Sequence, residues 1–330
     1  MDGPGGTPRT DDASAALTGV EEMDIPDTTE KYTGEIQKVS LGKGDYIAGG
    51  SDGMPFLSFE NHTKLRPMIA GEVWDDVTEY PEMAAKMFDG RQKDPVDWAN
   101  MWKELGADMI SLRLMSTDPY GRNTTPAQAA ELVNRISEKT NLPIMVSGCG
   151  NTEKDLEVLT EVCNSVKGTR LIVCKADECE YKKLTAAAMA NGHLILAFSN
   201  LDVNLAKQMN ILLTDYGMER ENIVMDPLMA ALGMGLDYSY SVNERIRIAA
   251  LNGDKMLQIP MVCDCTAAWE VNDATAEDDG TMGPAEYRAI WWEATTGLAA
   301  MISGADIVVV RAPGAADMLR VYASELTEVL

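Results

Sequence analysis

Residues 222–239 read NIVMDPLMAALGMGLDYS, and this stretch indicates the fold. A short apolar run ends at Asp226 and Pro227, a loop with Gly233 and Gly235 follows, and an amphipathic helix pattern comes next. In parallel α/β proteins, ligands bind beyond the carboxyl ends of the buried strands, where such loops converge. The stretch therefore predicts one strand–loop–helix unit with Asp226 at its ligand-binding end.

The same unit recurs along the chain. Several of the apolar runs are continuous rather than alternating, which is typical of strands buried on both faces. Eight such runs with helices between them predict an α/β fold of the (β/α)8 TIM-barrel class over residues 64–330, with a doubly wound open sheet as the alternative. No G-x-G-x-x-G segment follows the first run, which disfavours a dinucleotide-binding fold. The strands are predicted at residues 67–73, 109–114, 144–147, 170–174, 194–198, 223–225, 261–263 and 307–310.

Helix starts are marked between these strands. Asp94 and Thr125 each precede a proline, which is the arrangement of a capping residue followed by the first helical position. Capping boxes are predicted at Thr152 and Ser241, each with an acidic residue three positions later.

The N-terminal part of the chain differs from the rest. Residues 1–30 are acidic and rich in Gly, Pro and Thr, which predicts a flexible, disordered acidic tail. Residues 31–63 contain two extended runs joined by the turn sequence GKGD, which predicts a β-hairpin extension. We expect this hairpin to lie across one end of the barrel.

Composition excludes several classes of partner. The formal net charge is −24 and the isoelectric point is about 4.4, so nucleic acid and anionic membranes are disfavoured as partners. No apolar run reaches the roughly 18 residues that a membrane-spanning helix needs, and no signal peptide opens the sequence. The expected location is the cytoplasm.

Metal chemistry on this chain is also disfavoured. The six cysteines lack the spacing of a zinc or bacterial-type iron–sulfur site, and they do not form a disulfide framework. The two histidines, His62 and His193, precede predicted strands and therefore fall at the end opposite to the ligand loops. Histidine-rich metal sites, Ser-His-Asp catalysis and a histidine-ligated cofactor have little support, and we predict no metal site.

Polar residues and glycines follow the predicted strands and form the candidate ligand face. Such a rim suits a neutral, hydrogen-bonding heterocycle better than a phosphate. Asp226 is the candidate catalytic residue, although a turn cap is an equally good interpretation. The face comprises Glu72, Gly148, Gly150, Ser199, Asn200, Asp202, Asp226, Gly233 and Gly235.

Three of these features have other interpretations. Asn200 and Asp202 could cap a helix that starts near Val203. Lys175 could form a Schiff base if it were buried, or a surface ion pair with the nearby glutamates. The loop at residues 267–283 is either a solvated acidic loop or a lid or partner contact.

Several segments together resemble a known family, the small subunit of the corrinoid iron–sulfur protein, whose archaeal counterpart is the delta subunit of acetyl-CoA decarbonylase/synthase. The resemblance covers about residues 32–330. It is carried by SNLDVNLAKQMNIL at 199–212, DPLMAALGMGLDYS at 226–239, ERIR and LNGDKMLQIP within 244–260, GCGNTEKD at 148–155 and EYKKLTAA at 180–187.

The resemblance implies a division of labour between two chains. A larger subunit would carry the iron–sulfur cluster and hold the corrinoid, while this barrel would cover the corrinoid and support assembly with the acetyl-CoA synthase and CO dehydrogenase subunits. The pair would carry a methyl group between methyl-tetrahydropterin and the nickel cluster of acetyl-CoA synthase, and this chain would not act as an enzyme alone.

Two alternatives stay open. The chain could itself be a methyltransferase that binds methyl-tetrahydropterin, with Asp226 stabilising or protonating the departing pterin. A lysine-dependent barrel aldolase that uses Lys175 is the weaker alternative.

Overall fold

The computed structural model describes residues 29–57, 65–277 and 280–328. A short antiparallel hairpin, β1 (Val39–Leu41) and β2 (Tyr46–Ala48), precedes eight parallel strands. The eight strands are β3 (Met68–Trp74), β4 (Met109–Arg113), β5 (Ile144–Ser147), β6 (Ile172–Ala176), β7 (Leu194–Phe198), β8 (Ile223–Asp226), β9 (Val262–Asp264) and β10 (Ile307–Val310).

The eight strands form a barrel. Each strand from β3 to β7 pairs with the next in sequence, and β10 pairs with both β3 and β9. The ring closes between β8 and β9 through a parallel bridge of Met225 and Met261, where the Met225 N–H donates to the Pro260 carbonyl at 2.8 Å. The (β/α)8 prediction is thus confirmed, and a doubly wound open sheet is excluded.

Helices surround the barrel, and none of the described helices is long and apolar enough to cross a membrane. In the described residues they are α1 (Glu82–Ala85), α2 (Pro95–Glu104), α3 (Pro126–Thr140), α4 (Thr152–Ser165), α5 (Tyr181–Asn191), α6 (Val203–Asp215), α7 (Leu236–Leu251), α8 (Asn272–Thr275), α9 (Ala285–Ser303) and α10 (Pro313–Glu328).

Two of the four predicted caps are confirmed and two are wrong. Asp94 caps α2, and Thr125 forms a full capping box on α3. On α4 the cap is Asn151, one residue earlier than predicted, because its side chain reaches the Lys154 N–H at 3.1 Å. Ser241 lies inside α7, because Gly235 adopts a left-handed conformation (φ 100°) that ends the loop and starts the helix six residues sooner.

The amino-terminal end of the barrel is closed by the hairpin. Val39 and Leu41 are fully buried against apolar side chains that point into the barrel, including Met68 and Ile172. The Gly42 and Arg170 backbones exchange hydrogen bonds of 3.1 and 2.6 Å. Because Arg170 bonds to the hairpin, β6 begins two residues later than predicted.

The outer core packs the helices on the sheet. In β3, Gly71 leaves room for the Trp102 ring of α2, since a Cβ at this position would lie 2.2 Å from that ring. The Trp102 indole N–H donates to the Glu72 carbonyl at 2.9 Å. This contact fixes α2 against the strand that carries Glu72.

Two sequence predictions fall outside this description. Residues 1–28 of the predicted acidic tail and residues 58–64 at the end of the predicted hairpin extension, including His62, lie outside the described residues.

Candidate functional site

A cavity of about 490 Å³ opens at the carboxyl-terminal end of the barrel. Side chains from the ends of six neighbouring strands line it, as the position of strand ends in a TIM barrel requires. Its polar lining includes Arg113, Ser147, Gly148, Cys149, Gly150, Asp155, Lys175, Asp177, Glu180, Asp226, Asp264, Thr266 and Glu270.

Asp226 is the last residue of β8 and lies in this cavity. One carboxylate oxygen accepts the Leu228 N–H at 2.9 Å. Burial, together with the negative charge of Asp264, raises the pKa of Asp226 to about 6, against the opposing effect of the Leu228 hydrogen bond. Near neutral pH the group can therefore exist as an acid that donates a hydrogen bond or as a carboxylate that accepts one.

Arg113 ends β4 and connects the cavity to the interior of the barrel. Its Nε lies 2.9 Å from Glu72 Oε1, and its Nη2 lies 2.6 Å from Asp264 Oδ2 and 3.2 Å from Thr266 Oγ1. The guanidinium carbon lies 5.9 Å from the centre of the Trp74 ring. Arg113 is thereby held on several sides while it still lines the cavity.

Glu72 lies beneath the cavity rather than in its lining. It is fully buried, and Arg311 contacts it from the other side at 2.6 and 3.3 Å. Burial raises the pKa of Glu72, but the charges of Arg311 and Arg113 outweigh burial and leave its pKa below the ordinary value. Glu72 is therefore an ionised internal partner of two arginines.

The predicted GCGN segment does reach the cavity. Asp155 accepts the N–H groups of Cys149 and Gly150 at 2.8 and 2.9 Å, which folds the loop back onto the first turn of α4. A Cβ at Gly148 would lie 2.0 Å from the Asp155 carboxylate. Gly148 is therefore required by this close approach, and both glycines lie in the cavity wall.

The residues after β7 lie outside the cavity lining. Ser199 is buried, and its hydroxyl has no hydrogen-bond partner in the described part of the chain. Asn200 is exposed with φ 37°. Asp202 accepts the N–H groups of Asn204 and Leu205 at 2.7 and 3.1 Å, so it caps α6, and the capping interpretation holds for this residue.

Gly233 and Gly235 lie in a different depression. They border an open groove of about 620 Å³ that is lined by the loop before α7, by Leu236 and Tyr240 of α7, and by Ala299 of α9. The structure therefore separates these two glycines from Asp226, although only a few residues divide them in sequence.

Lys175 lies on the cavity wall, with its Nζ 3.6 Å from the centre of the Phe198 ring. Within the described residues it makes no ion pair with Glu178 or Glu180. His193 lies at the amino-terminal end, where its ring nitrogens contact the Leu171 N–H and the Cys163 carbonyl at 3.3 and 3.2 Å. The described part of the chain contains no cluster of three or more His, Cys, Asp or Glu side chains able to hold a metal ion.

The sequence places Arg113 and Asp264 among the polar residues at the strand ends, and both do end a strand. The predicted ligand face nevertheless left both of them out. Position alone does not reveal that they form one ion-pair network beside Asp226.

Comparisons with known proteins agree with this architecture. The structure is similar to a dihydropteroate synthase from Coxiella burnetii in complex with pteroic acid, with a TM-score of 0.58, 13% identity, and coverage of 89% of this chain and 99% of that one. A dihydropteroate synthase from Stenotrophomonas maltophilia gives a TM-score of 0.56 at 15% identity, over 82% and 97% of the two chains. At these identities the likeness establishes the fold.

Similarity in sequence identifies the family, whereas similarity in structure establishes only the fold. The acetyl-CoA decarbonylase/synthase complex subunit delta of Archaeoglobus fulgidus is 33% identical over 334 residues, covering 93% of this chain and 74% of the relative. The subunit of the same name from Methanocaldococcus jannaschii is 32% identical over 94% of this chain and 79% of its own length. A model of the CO dehydrogenase/acetyl-CoA synthase delta subunit family matches residues 38–323. The chain therefore belongs to the CO dehydrogenase/acetyl-CoA synthase delta subunit family.

Proposed function

We propose that this chain is the non-redox subunit of a cytoplasmic methyl-carrying heterodimer. In this proposal the open end of the barrel covers a corrinoid held by a larger iron–sulfur subunit, and the cavity beneath receives the ring of methyl-tetrahydropterin. The heterodimer then exchanges the methyl group with the nickel cluster of the acetyl-CoA synthase subunit, in a complex that also contains CO dehydrogenase subunits.

The distribution of exposed apolar side chains carries the proposal. Among the described residues, seven large apolar side chains have more than half of their surface exposed, and six of them belong to the loops that follow β4, β8 and β9 or to the first two turns of the helices after those loops. Concentrated apolar exposure around a polar cavity is typical of a surface that another molecule covers. The six are Tyr120, Met234, Tyr238, Met282, Tyr287 and Trp291.

The residues present fit a covering role toward the corrinoid rather than a ligating one. Among the described residues, no cluster of three or more His, Cys, Asp or Glu side chains could hold a metal ion, and His193 lies at the far end of the barrel. A corrinoid supplies a cobalt centre that accepts the methyl group when it is bound. This chain contributes an apolar rim that keeps water from that centre.

The cavity fits the pterin. A pterin ring offers ring N–H and amino donors along one edge, and Asp226 presents a partly buried carboxyl group that can accept hydrogen bonds from these donors. Since the pKa of Asp226 is about 6, the group can also supply a proton to a ring nitrogen that becomes basic as the methyl group leaves. The solved neighbour that contains pteroic acid has the same fold.

Partner binding is tested by anaerobic affinity purification of the tagged chain from its native cells. A larger subunit containing cobalt and iron should co-purify, whereas the isolated chain should be colourless and iron-free. Trp291→Glu should abolish the association, because it places a charge in the apolar rim. Val321→Glu is the matched control, since Val321 is also exposed but lies on the outer face of α10. Retention of the partner by the Trp291 variant would contradict the covering role.

Pterin binding is tested by titrating the purified complex with methyl-tetrahydropterin and following the heat of binding. Saturable binding is expected. Binding that is absent from the complex would leave the chain as an assembly subunit alone. Borohydride treatment in the presence of a keto substrate addresses the aldolase alternative, because only that chemistry would label Lys175.

A further inference from the structure

We infer that Arg113 is a ligand-binding residue of the cavity, that it binds a ring-carbonyl oxygen of the pterin, and that Glu72 is its positioning residue. This inference rests on the proposed function and deepens it by naming the group that recognises the ligand's acceptor edge.

Arg113 has one side left for a ligand. Its Nε is used by Glu72 and its Nη2 by Asp264 and Thr266. Its Nη1 makes no hydrogen bond within the described residues, and the side chain lines the cavity with 30% of its surface exposed. A guanidinium has five N–H donors in a fixed plane and no acceptor, so the free side can bind only an oxygen or another acceptor.

The guanidinium is held rigidly by a partner that no ligand can reach. Glu72 is fully buried, and it shares its carboxylate between Arg113 and Arg311. A buried carboxylate needs a cation, and two arginines on one carboxylate leave a net positive charge. Asp264 supplies the balancing charge at the cavity surface, where its own side chain is 35% exposed. The network thus fixes one cationic donor in the wall.

Arg113 and Asp226 offer complementary chemistry in one cavity. Asp226 accepts hydrogen bonds from ring N–H and amino groups, while Arg113 can only donate. The two side chains are close enough for the charge of Arg113 to lower the pKa of Asp226 against the effect of burial. A ring that carries N–H, amino and carbonyl groups side by side, as a 4-oxopterin does, would satisfy both residues. The carbonyl is the group that Arg113 would select.

The test varies the protein and the ligand together. The probes are 6-methyl-tetrahydropterin, which carries the 4-oxo group, and its 2,4-diamino counterpart, in which an amino donor replaces the carbonyl. For the purified complex, Arg113→Met should weaken binding of the 4-oxo probe about 10- to 100-fold, the range expected for a charged hydrogen bond. Binding of the diamino probe should change less than about 3-fold, because an amino donor stands where the 4-oxo probe has its carbonyl acceptor.

Three further variants keep the result interpretable. Arg113→Lys retains the charge without the planar fork and should lose part of the affinity for the 4-oxo probe. This variant replaces Arg113→Met in the test if the methionine variant fails to fold. Glu72→Gln should weaken binding of the 4-oxo probe but not of the diamino probe. In the double variant it should cause no further loss of affinity beyond that of Arg113→Met, since Glu72 acts through the same guanidinium. Arg122→Met is the control, because Arg122 pairs with Asp76 on the surface and should leave both affinities unchanged.

The outcomes separate this inference from the proposed function. Equal losses for both probes, or no loss for either, would overturn the role of Arg113 while pterin binding itself stands. A wild-type complex that binds neither probe would overturn the proposed function together with this inference.

Discussion

The two ends of the barrel each contain a buried arginine–carboxylate contact, but they use it differently. At the amino-terminal end, Arg247 on α7 contacts Asp306 at 2.8 Å, and the same carboxylate oxygen accepts the Met261 N–H at 2.8 Å. At the carboxyl-terminal end, the chain of contacts from Glu72 through Arg113 reaches an open cavity. The closed end therefore uses charge to hold strands and helices together, whereas the open end places charge in the wall of a cavity.

The largest expected effect is a loss of stability at the closed end. Arg247→Met should lower the free energy of unfolding by about 3–5 kcal/mol, because Asp306 would stay buried without its cation. Urea denaturation measures the loss. Arg245→Met, an exposed arginine on the same helix, is the control and should change stability by less than about 0.5 kcal/mol. A loss below about 1 kcal/mol for the Arg247 variant would contradict a structural role for this pair.

At the open end the corresponding change should affect ligand binding instead. Asp226→Asn should weaken methyl-tetrahydropterin binding to the complex about 10- to 100-fold, because an amide cannot replace a charged acceptor or a proton donor of the same acidity. Calorimetric titration measures the affinity. The melting temperature should not fall, and a parallel fall in melting temperature and affinity would indicate that Asp226 only caps its turn.

The pH dependence of stability sharpens the same contrast. The pKa of Asp226 is raised to about 6 in the folded protein by burial, so its contribution to stability is complete below its ordinary pKa of 3.8 and is lost as the pH rises through 6. Asp226→Asn removes this loss. The stability of the variant relative to the wild type should therefore rise by about 2 kcal/mol between pH 4 and 7, as measured by urea denaturation at each pH. A constant difference across this range would mean that Asp226 titrates normally.

The fold could be predicted from the sequence because apolar runs and helix starts are local patterns. β5, β7 and β10 have the bounds that were predicted for them. The strand β6 was misplaced because Arg170 bonds to a hairpin that is distant in sequence. Long-range contacts of this kind leave no local signal.

The candidate site was predictable only in part. Gly148, Gly150 and Asp226 lie together in the cavity, since each lies at the end of a strand or within three residues after it. Gly233 and Gly235 lie in a separate groove because the path of the loop before α7 depends on its packing against α9, where the Trp292 indole N–H donates to the Leu232 carbonyl at 2.8 Å. That contact joins residues 60 positions apart, and a single sequence does not reveal it.

The smallest expected effect distinguishes a cap at the open end from a ligand contact there. Asp202 accepts the N–H groups of the second and third residues of α6 and does not line the cavity. Asp202→Ala should therefore lower the free energy of unfolding by about 1 kcal/mol, the usual contribution of an N-cap, and should leave methyl-tetrahydropterin affinity unchanged. Asp202→Ser keeps a capping oxygen and should recover most of the stability. If Asp202→Ala instead lowered the affinity for methyl-tetrahydropterin while the free energy of unfolding stayed unchanged, the loop after β7 would belong to the ligand-binding part of the open end rather than to its structural part.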